Sequence, residues 1–106
     1  MAETSVSIQP HELRCINAIF KNIIPDREIW AFGSRTLSNH KPFSDLDLVV
    51  MGDSPLPIEK KADLHTAFSD SDLTFKVDVV VWFELTENFK NIIKNHYVVI
   101  HPIQSL

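Results

Sequence analysis

The sequence predicts an α/β (α+β) domain in which a small mixed β-sheet is flanked by helices, in the element order α-β-α-β-α-β-α. Apolar residues recur at helical spacing in three segments, and three short β-branched or aromatic runs alternate with those segments. The 106 residues, 44% of them hydrophobic and 23% charged, suit one folded domain. We therefore expect a single domain over residues 1–106, with residues 1–9 as a frayed lead-in.

The first half of the chain contains one clear helix and two strands. The helix begins near Pro10 and ends before Pro25, because proline is tolerated in the first helical turn and blocks the interior. A short strand is predicted over 28–32 and a second over 46–51. The polar residues 34–44 between them are rich in turn formers and include a candidate short helix.

The second half repeats the alternation of helix and strand. A helix is predicted over 58–69, with its apolar face formed by Ile58, Ala62, His65 and Phe68. Residues 75–83 give the strongest strand signal in the chain. Thr86 is a candidate cap for a last helix that runs to about Asn95. The apolar residues 97–100 receive no assignment.

Composition excludes several classes of protein. A net charge of −4 argues against a dedicated nucleic-acid binder. The single cysteine, Cys15, allows neither an internal disulfide nor a multi-cysteine zinc cluster. Two glycines are too few for a dinucleotide-binding loop or a P-loop. Because the sequence shows no signal peptide and no apolar run near the roughly 20 residues of a membrane span, we expect a cytoplasmic protein without membrane contact.

The candidate site consists of a turn and three carboxylates. Gly33-Ser34 ends the first strand, Asp45 and Asp47 enter the second after ten intervening residues, and Asp78 lies within the third. Residues at i and i+2 of a strand share a face, so Asp45 and Asp47 stand side by side. Taken singly, each has an ordinary explanation: a turn, a cap, an edge-strand residue, or, for Asp78, a partner of Lys76 or Arg35.

Taken together, these residues predict a metal and phosphate site. A hard divalent cation offsets the repulsion between adjacent carboxylates, and Mg²⁺ commonly binds one or two carboxylates together with substrate phosphates. Three carboxylates on neighbouring strands are able to hold two metal ions. Gly33 lets a phosphate approach the backbone, Ser34 adds an N–H and a hydroxyl, and Arg35 adds a charge-assisted contact.

This pattern resembles the signature of the DNA polymerase β-type nucleotidyltransferase superfamily. The phrases Trp30-Ala31-Phe32-Gly33-Ser34-Arg35 and Ser44-Asp45-Leu46-Asp47-Leu48 are similar to those of its minimal nucleotidyltransferase branch, and the resemblance extends to Ile100. It implies the nucleotidyltransferase fold, with Asp45, Asp47 and Asp78 as catalytic residues that ligate two Mg²⁺ ions. It also implies that Gly33, Ser34 and Arg35 bind ATP.

The resemblance further implies a partner and a reaction. Members of this branch are commonly encoded beside a HEPN-domain toxin, and the chain is then expected to transfer AMP from ATP to a tyrosine hydroxyl of that toxin. We therefore expect the chain to form a hetero-oligomer with the toxin, and its net charge of −4 predicts no direct contact with nucleic acid.

Two other hypotheses stay open. Family members often follow Gly-Ser-Arg with a small residue, a second arginine and a glycine, whereas Thr36, Leu37 and Ser38 stand here. This departure favours a non-catalytic antitoxin that neutralises its partner by contact. A nucleotidyltransferase acting on a small molecule is the third hypothesis, and the absence of an acceptor-binding domain in 106 residues weighs against it.

Overall fold

Three helices and four strands make up the described part of the chain. A computed structural model describes residues 8–33, Arg35 and residues 45–101, with only the backbone of His101. The elements are α1 (Pro10–Ile23), β1 (Ile29–Phe32), β2 (Leu46–Val50), α2 (Ile58–Ser69), β3 (Val77–Val81), α3 (Glu87–Asn95) and β4 (Val98–His101). The mixed sheet flanked by helices confirms the predicted fold class. Of the predicted frayed lead-in, residues 1–7 lie outside the described residues, and so does the candidate short helix in 34–44 apart from Arg35.

The sheet has the strand order β3-β2-β1-β4. β1 pairs antiparallel with both β2 and β4, whereas β2 and β3 are parallel. A parallel pair needs a crossover connection, and α2 supplies it between β2 and β3. This topology brings the end of β1 and the starts of β2 and β3 to the same end of the sheet.

The main core lies between α1, α2 and one face of the sheet. Ile16 and Phe20 of α1 are fully buried there, and Leu64 of α2 is 2% exposed. Alternation along β2 turns Leu46 and Leu48 toward this core and Asp47 toward the opposite face. On that opposite face α3 approaches the sheet through an edge contact between the rings of Phe89 and Phe32, with centroids 5.8 Å apart.

The helix boundaries agree closely with the sequence, and their caps explain why. The Gln9 backbone N–H donates to Glu12 at 2.7 Å at the start of α1, and Ile8 packs against the core. Thr86 Oγ1 accepts the Phe89 backbone N–H at 3.2 Å, so Thr86 caps α3 as predicted. None of the helices in the described segments is long and apolar enough to cross a membrane.

The apolar face predicted for α2 is wrong. Ile58 is 78% exposed and His65 is also exposed, whereas the buried residue of the helix is Leu64. Phe68 does pack against α1, where its ring centroid lies 5.5 Å from that of Phe20. The helix is only weakly amphipathic, so the spacing of apolar residues did not identify which side meets α1.

Two strand predictions also need correction. The third strand covers Val77–Val81 rather than 75–83, because residues Trp82–Glu84 form a 3₁₀ turn. The tail that received no assignment forms β4, which pairs with β1. The four apolar residues 97–100 do not specify a strand by themselves, since their hydrogen-bond partners come from the edge of β1.

Candidate active site

Asp47 and Asp78 are register partners on the parallel strands β2 and β3. Each is the second residue of its strand, and Asp45 immediately precedes β2. The Leu46 N–H donates to the Lys76 carbonyl at 2.9 Å and fixes this register at the first rung. The structure thus brings together the three carboxylates that the sequence singled out, at the same end of the sheet.

Burial and the neighbouring carboxylates together change the ionisation of Asp47. Partial burial raises the pKa of Asp47, and the charges of Asp78 and then Asp45 raise this pKa further. Clusters of like charge with such shifts occur preferentially at functional sites, although structural networks produce them too.

Gly33 lies against the Asp47 carboxylate at the end of β1. Its φ is +82°, in the region that glycine adopts readily. A Cβ added to Gly33 would overlap an Asp47 carboxylate oxygen and lie 3.2 Å from its Cγ. Both the conformation and the space therefore require glycine, and the turn after β1 and the carboxylates of β2 form one structural unit. Ser34, the other half of the predicted turn, lies outside the described residues.

Arg35 is placed differently from a solvent-exposed phosphate ligand. It is only 5% exposed, and its guanidinium carbon lies 4.1 Å from the centroid of the Phe75 ring. A guanidinium over an aromatic face is a stabilising cation–π arrangement. Arg35 therefore also has a structural role that the sequence pattern did not predict.

Sequence reasoning assigned no functional role to Lys76, which borders the site. Its Nζ lies 3.5 Å from Asp78 Oδ1, with the two side chains 70% and 42% exposed. The pair is largely solvated, so its contribution to stability is small. Lys76 immediately precedes β3 and lies two residues before Asp78, and this spacing is the signal in the sequence that identifies the pair. The suggestion that Asp78 has Lys76 as a partner is confirmed.

The donor chemistry of the site suits a hard cation. The three candidate ligands offer carboxylate oxygens, which Mg²⁺ prefers, and Mg²⁺ usually completes its shell with water and substrate phosphates. Among residues 8–33, 35 and 45–101, no group of three His, Cys, Asp or Glu side chains is arranged as a metal cage. The described carboxylates are therefore a cluster of interacting charges rather than a closed set of ligands.

The fold and this cluster define a class of protein. A mixed sheet carries a glycine turn after one strand and facing carboxylates on the next two, as the sequence resemblance to nucleotidyltransferases led us to expect. The chain belongs to the nucleotidyltransferase domain family, which it matches over residues 13–100. It is accordingly an enzyme of the transferase class.

One relative and one solved structure extend this assignment. The chain is 40% identical over 95 residues to a Haemophilus influenzae protein named probable protein adenylyltransferase MntA, covering 90% of this chain and 83% of that protein. It also resembles a structure described as a crystal structure of the toxin-antitoxin with AMP-PNP, with a TM-score of 0.69 and 20% identity. That match covers 83% of this chain and 71% of the other, and at this identity it concerns the fold alone.

Proposed function

We propose that the chain transfers AMP from ATP to a hydroxyl group of a partner toxin and thereby acts as its antitoxin. The observation that carries this proposal is the register of Asp47 with Asp78 beside the Gly33 turn. The relative named as a probable protein adenylyltransferase supports a protein as the acceptor. The solved toxin–antitoxin structure with AMP-PNP supports a toxin as partner and ATP as donor, by analogy of fold.

The reaction is a substitution at the α-phosphorus of ATP. The acceptor oxygen forms a bond to this phosphorus while the bond to the β-phosphate oxygen breaks, so that pyrophosphate leaves and the acceptor retains AMP. We assign the hydroxyl proton to Asp78, whose carboxylate is half-exposed on the edge strand and so open to an incoming acceptor. The turn at Gly33 and Ser34, together with Arg35, is assigned to the triphosphate.

Asp45, Asp47 and Asp78 are proposed to hold the Mg²⁺ ions that accompany ATP. Bound Mg²⁺ would neutralise charge on the phosphates and relieve the repulsion among these carboxylates. Within the protein, Asp47 occupies the central position, since the charges of both other carboxylates act on it. We further propose that the acceptor is a tyrosine of a HEPN-domain toxin, as the sequence resemblance implies.

A second candidate is an antitoxin that acts by contact without transfer. The buried position of Arg35 over Phe75 favours it, because an arginine committed to packing is less available to a triphosphate. The residues Thr36, Leu37 and Ser38 favour it too, since they replace the small residue, second arginine and glycine found in many members of the branch.

Intact mass measurement distinguishes the two candidates. The product of the neighbouring gene is co-expressed with the wild-type chain or with the double variant Asp45→Asn/Asp47→Asn. We expect the partner to gain one or more AMP units with the wild type alone. A partner that co-purifies unmodified and remains neutralised by the double variant would establish the contact antitoxin instead.

The exposed Asp63→Asn variant of α2 serves as a matched control. It removes one carboxylate from the same chain, at a position remote in sequence from the candidate site. We expect it to modify the partner as the wild type does. Circular dichroism of all variants establishes that loss of transfer is not loss of folding.

A further inference from the structure

A groove runs along the outer side of β3. It has a volume of about 900 Å³, which lies within the range of ligand-binding clefts. Its lining includes all of Val77–Val81 and, from α2, Leu64 and Phe68. Lys61 and Glu84 also line it and form an ion pair of 2.8 Å. The groove is thus an apolar channel with charged groups beside it, bounded by an edge strand.

The backbone of β3 is paired on one side only. β3 ends the strand order, and its pairing among the described residues is with β2. In a parallel ladder, the backbone groups of alternate residues point to the same neighbour. Because the Leu46 N–H donates to the Lys76 carbonyl, the backbone groups of Lys76, Asp78 and Val80 are the ones that point toward β2.

The backbone groups of Val77, Val79 and Val81 therefore point to the open side. No described residue pairs with them. Such a row of unpaired N–H and C=O groups can pair with another extended polypeptide. The backbone of that polypeptide offers acceptors and donors at the same spacing along its whole length. A small molecule does not provide such a repeat.

The groove borders the candidate active site at Asp78. Asp78 and Lys76 are among its lining residues, and Asp78 is the carboxylate to which we assign the acceptor proton. Phe75 also lines the groove and supports the guanidinium of Arg35. A strand bound along β3 would thus have one end beside the reacting groups.

We propose that an extended segment of the acceptor protein binds as an added strand on β3 and so carries its hydroxyl to Asp78. This proposal rests on the proposed function and names how that function recognises its protein substrate. β3 accommodates about five residues, or roughly 16 Å of extended chain. Alternate side chains of the segment would enter the apolar groove, so the segment is expected to carry aliphatic or aromatic residues at every second position.

Residue-resolved amide hydrogen exchange tests this pairing with an internal control. The ¹⁵N-labelled wild-type chain is measured alone and with the purified product of the neighbouring gene in the presence of α,β-methylene-ATP, in which the bond that transfer breaks is replaced by one that cannot be cleaved. We expect exchange at Val77, Val79 and Val81 to slow by roughly tenfold or more on binding. The amides of Asp78 and Val80, already bonded to β2, should change much less.

A pair of variants tests the same point kinetically. Val79→Pro removes an outward N–H and places a ring on the open edge, which an edge strand tolerates. Val79→Ala truncates the same side chain and retains the N–H. We expect the KM for the acceptor protein to be roughly tenfold higher in the proline variant than in the alanine variant.

Each outcome separates this proposal from the function on which it rests. An acceptor that gains AMP without protection of the three amides would overturn the edge-strand proposal and leave the transferase function standing. Protection of these amides by a partner that never gains AMP would overturn both. If Val77, Val79 and Val81 are already protected in the protein alone and its mass is that of a dimer, the edge pairs with a second copy and the proposal is wrong.

Discussion

Asp47 and Asp78 lie opposite each other in the parallel pairing of β2 and β3, and the charge of Asp78 adds to burial in raising the pKa of Asp47. Facing carboxylates on neighbouring strands destabilise a sheet. The fold nevertheless holds them together beside a glycine whose missing Cβ leaves room for the Asp47 carboxylate. This arrangement is understandable if the carboxylates serve a bound cation and nucleotide.

The variant Asp47→Asn is expected to lose transfer while retaining or gaining thermal stability. Loss of the central charge should lower the rate of transfer by roughly a hundredfold or more, since each about 1.4 kcal/mol of lost transition-state stabilisation is a factor of ten. Stability should not fall, because the asparagine relieves repulsion from Asp78 and Asp45. Pyrophosphate release and the melting temperature are measured together. A variant that melts well below the wild type would contradict the electrostatic account.

The pH dependence of stability should show the same repulsion with a definite sign. Because the folded-state pKa of Asp47 is raised, the folded protein binds this proton more tightly than the unfolded chain does. The contribution of Asp47 to stability therefore falls as pH rises through the interval between its unfolded and folded pKa, and it is recovered on acidification. The free energy of unfolding in urea is measured for the metal-free wild type and for Asp47→Asn at a series of pH values from 7 downward. The advantage of the variant should shrink toward the acidic end, and a constant difference would exclude the effect.

Two glycine substitutions separate backbone strain from damage to the site. Gly33→Ala and Gly52→Ala both place a Cβ at positive φ, +82° and +136°, and each should cost about 1–2 kcal/mol. The Cβ at 33 would displace the Asp47 carboxylate, whereas the Cβ at 52 would displace the guanidinium of Arg27. Arg27 anchors the loop after β2 by donating to the Met51 carbonyl at 2.8 Å.

Transfer assays at a temperature where both glycine variants are folded distinguish them. We expect Gly33→Ala to lose transfer and Gly52→Ala to retain it, because only the first substitution meets a candidate catalytic group. Equal loss in the two variants would show that global destabilisation, rather than the position of Asp47, controls activity.

The contact between Arg35 and Phe75 should be measurable as a coupling energy. A double-mutant cycle with Arg35→Gln and Phe75→Leu should give about 0.5–2 kcal/mol, the range for a guanidinium over an aromatic ring from exposed to desolvated sites. Urea unfolding of the four proteins supplies the free energies. Additive effects would mean that the two residues do not stabilise each other in solution.

The candidate site could be predicted from the sequence because its pattern depends on local spacing. Asp45 and Asp47 fall at i and i+2, and the turn residue Gly33 directly follows a strand signal. The starts of α1 and α3 could also be predicted from local sequence, since Pro10 and Thr86 each act on the first turn of their helix. These features need no knowledge of what lies across the sheet, and the sequence by itself determined the fold class and the carboxylate pair.

The tertiary structure decided what depends on partners distant in the chain. The register that sets Asp78 beside Asp47 comes from parallel pairing across the α2 crossover. Arg35 stacks on the ring of Phe75, which lies forty residues later in the chain. Likewise, β4 exists because β1 offers an unpaired edge, and β3 is left open because no described strand follows it in the sheet. Local propensity carries no information about such pairings, since their free energy arises only when the two segments meet.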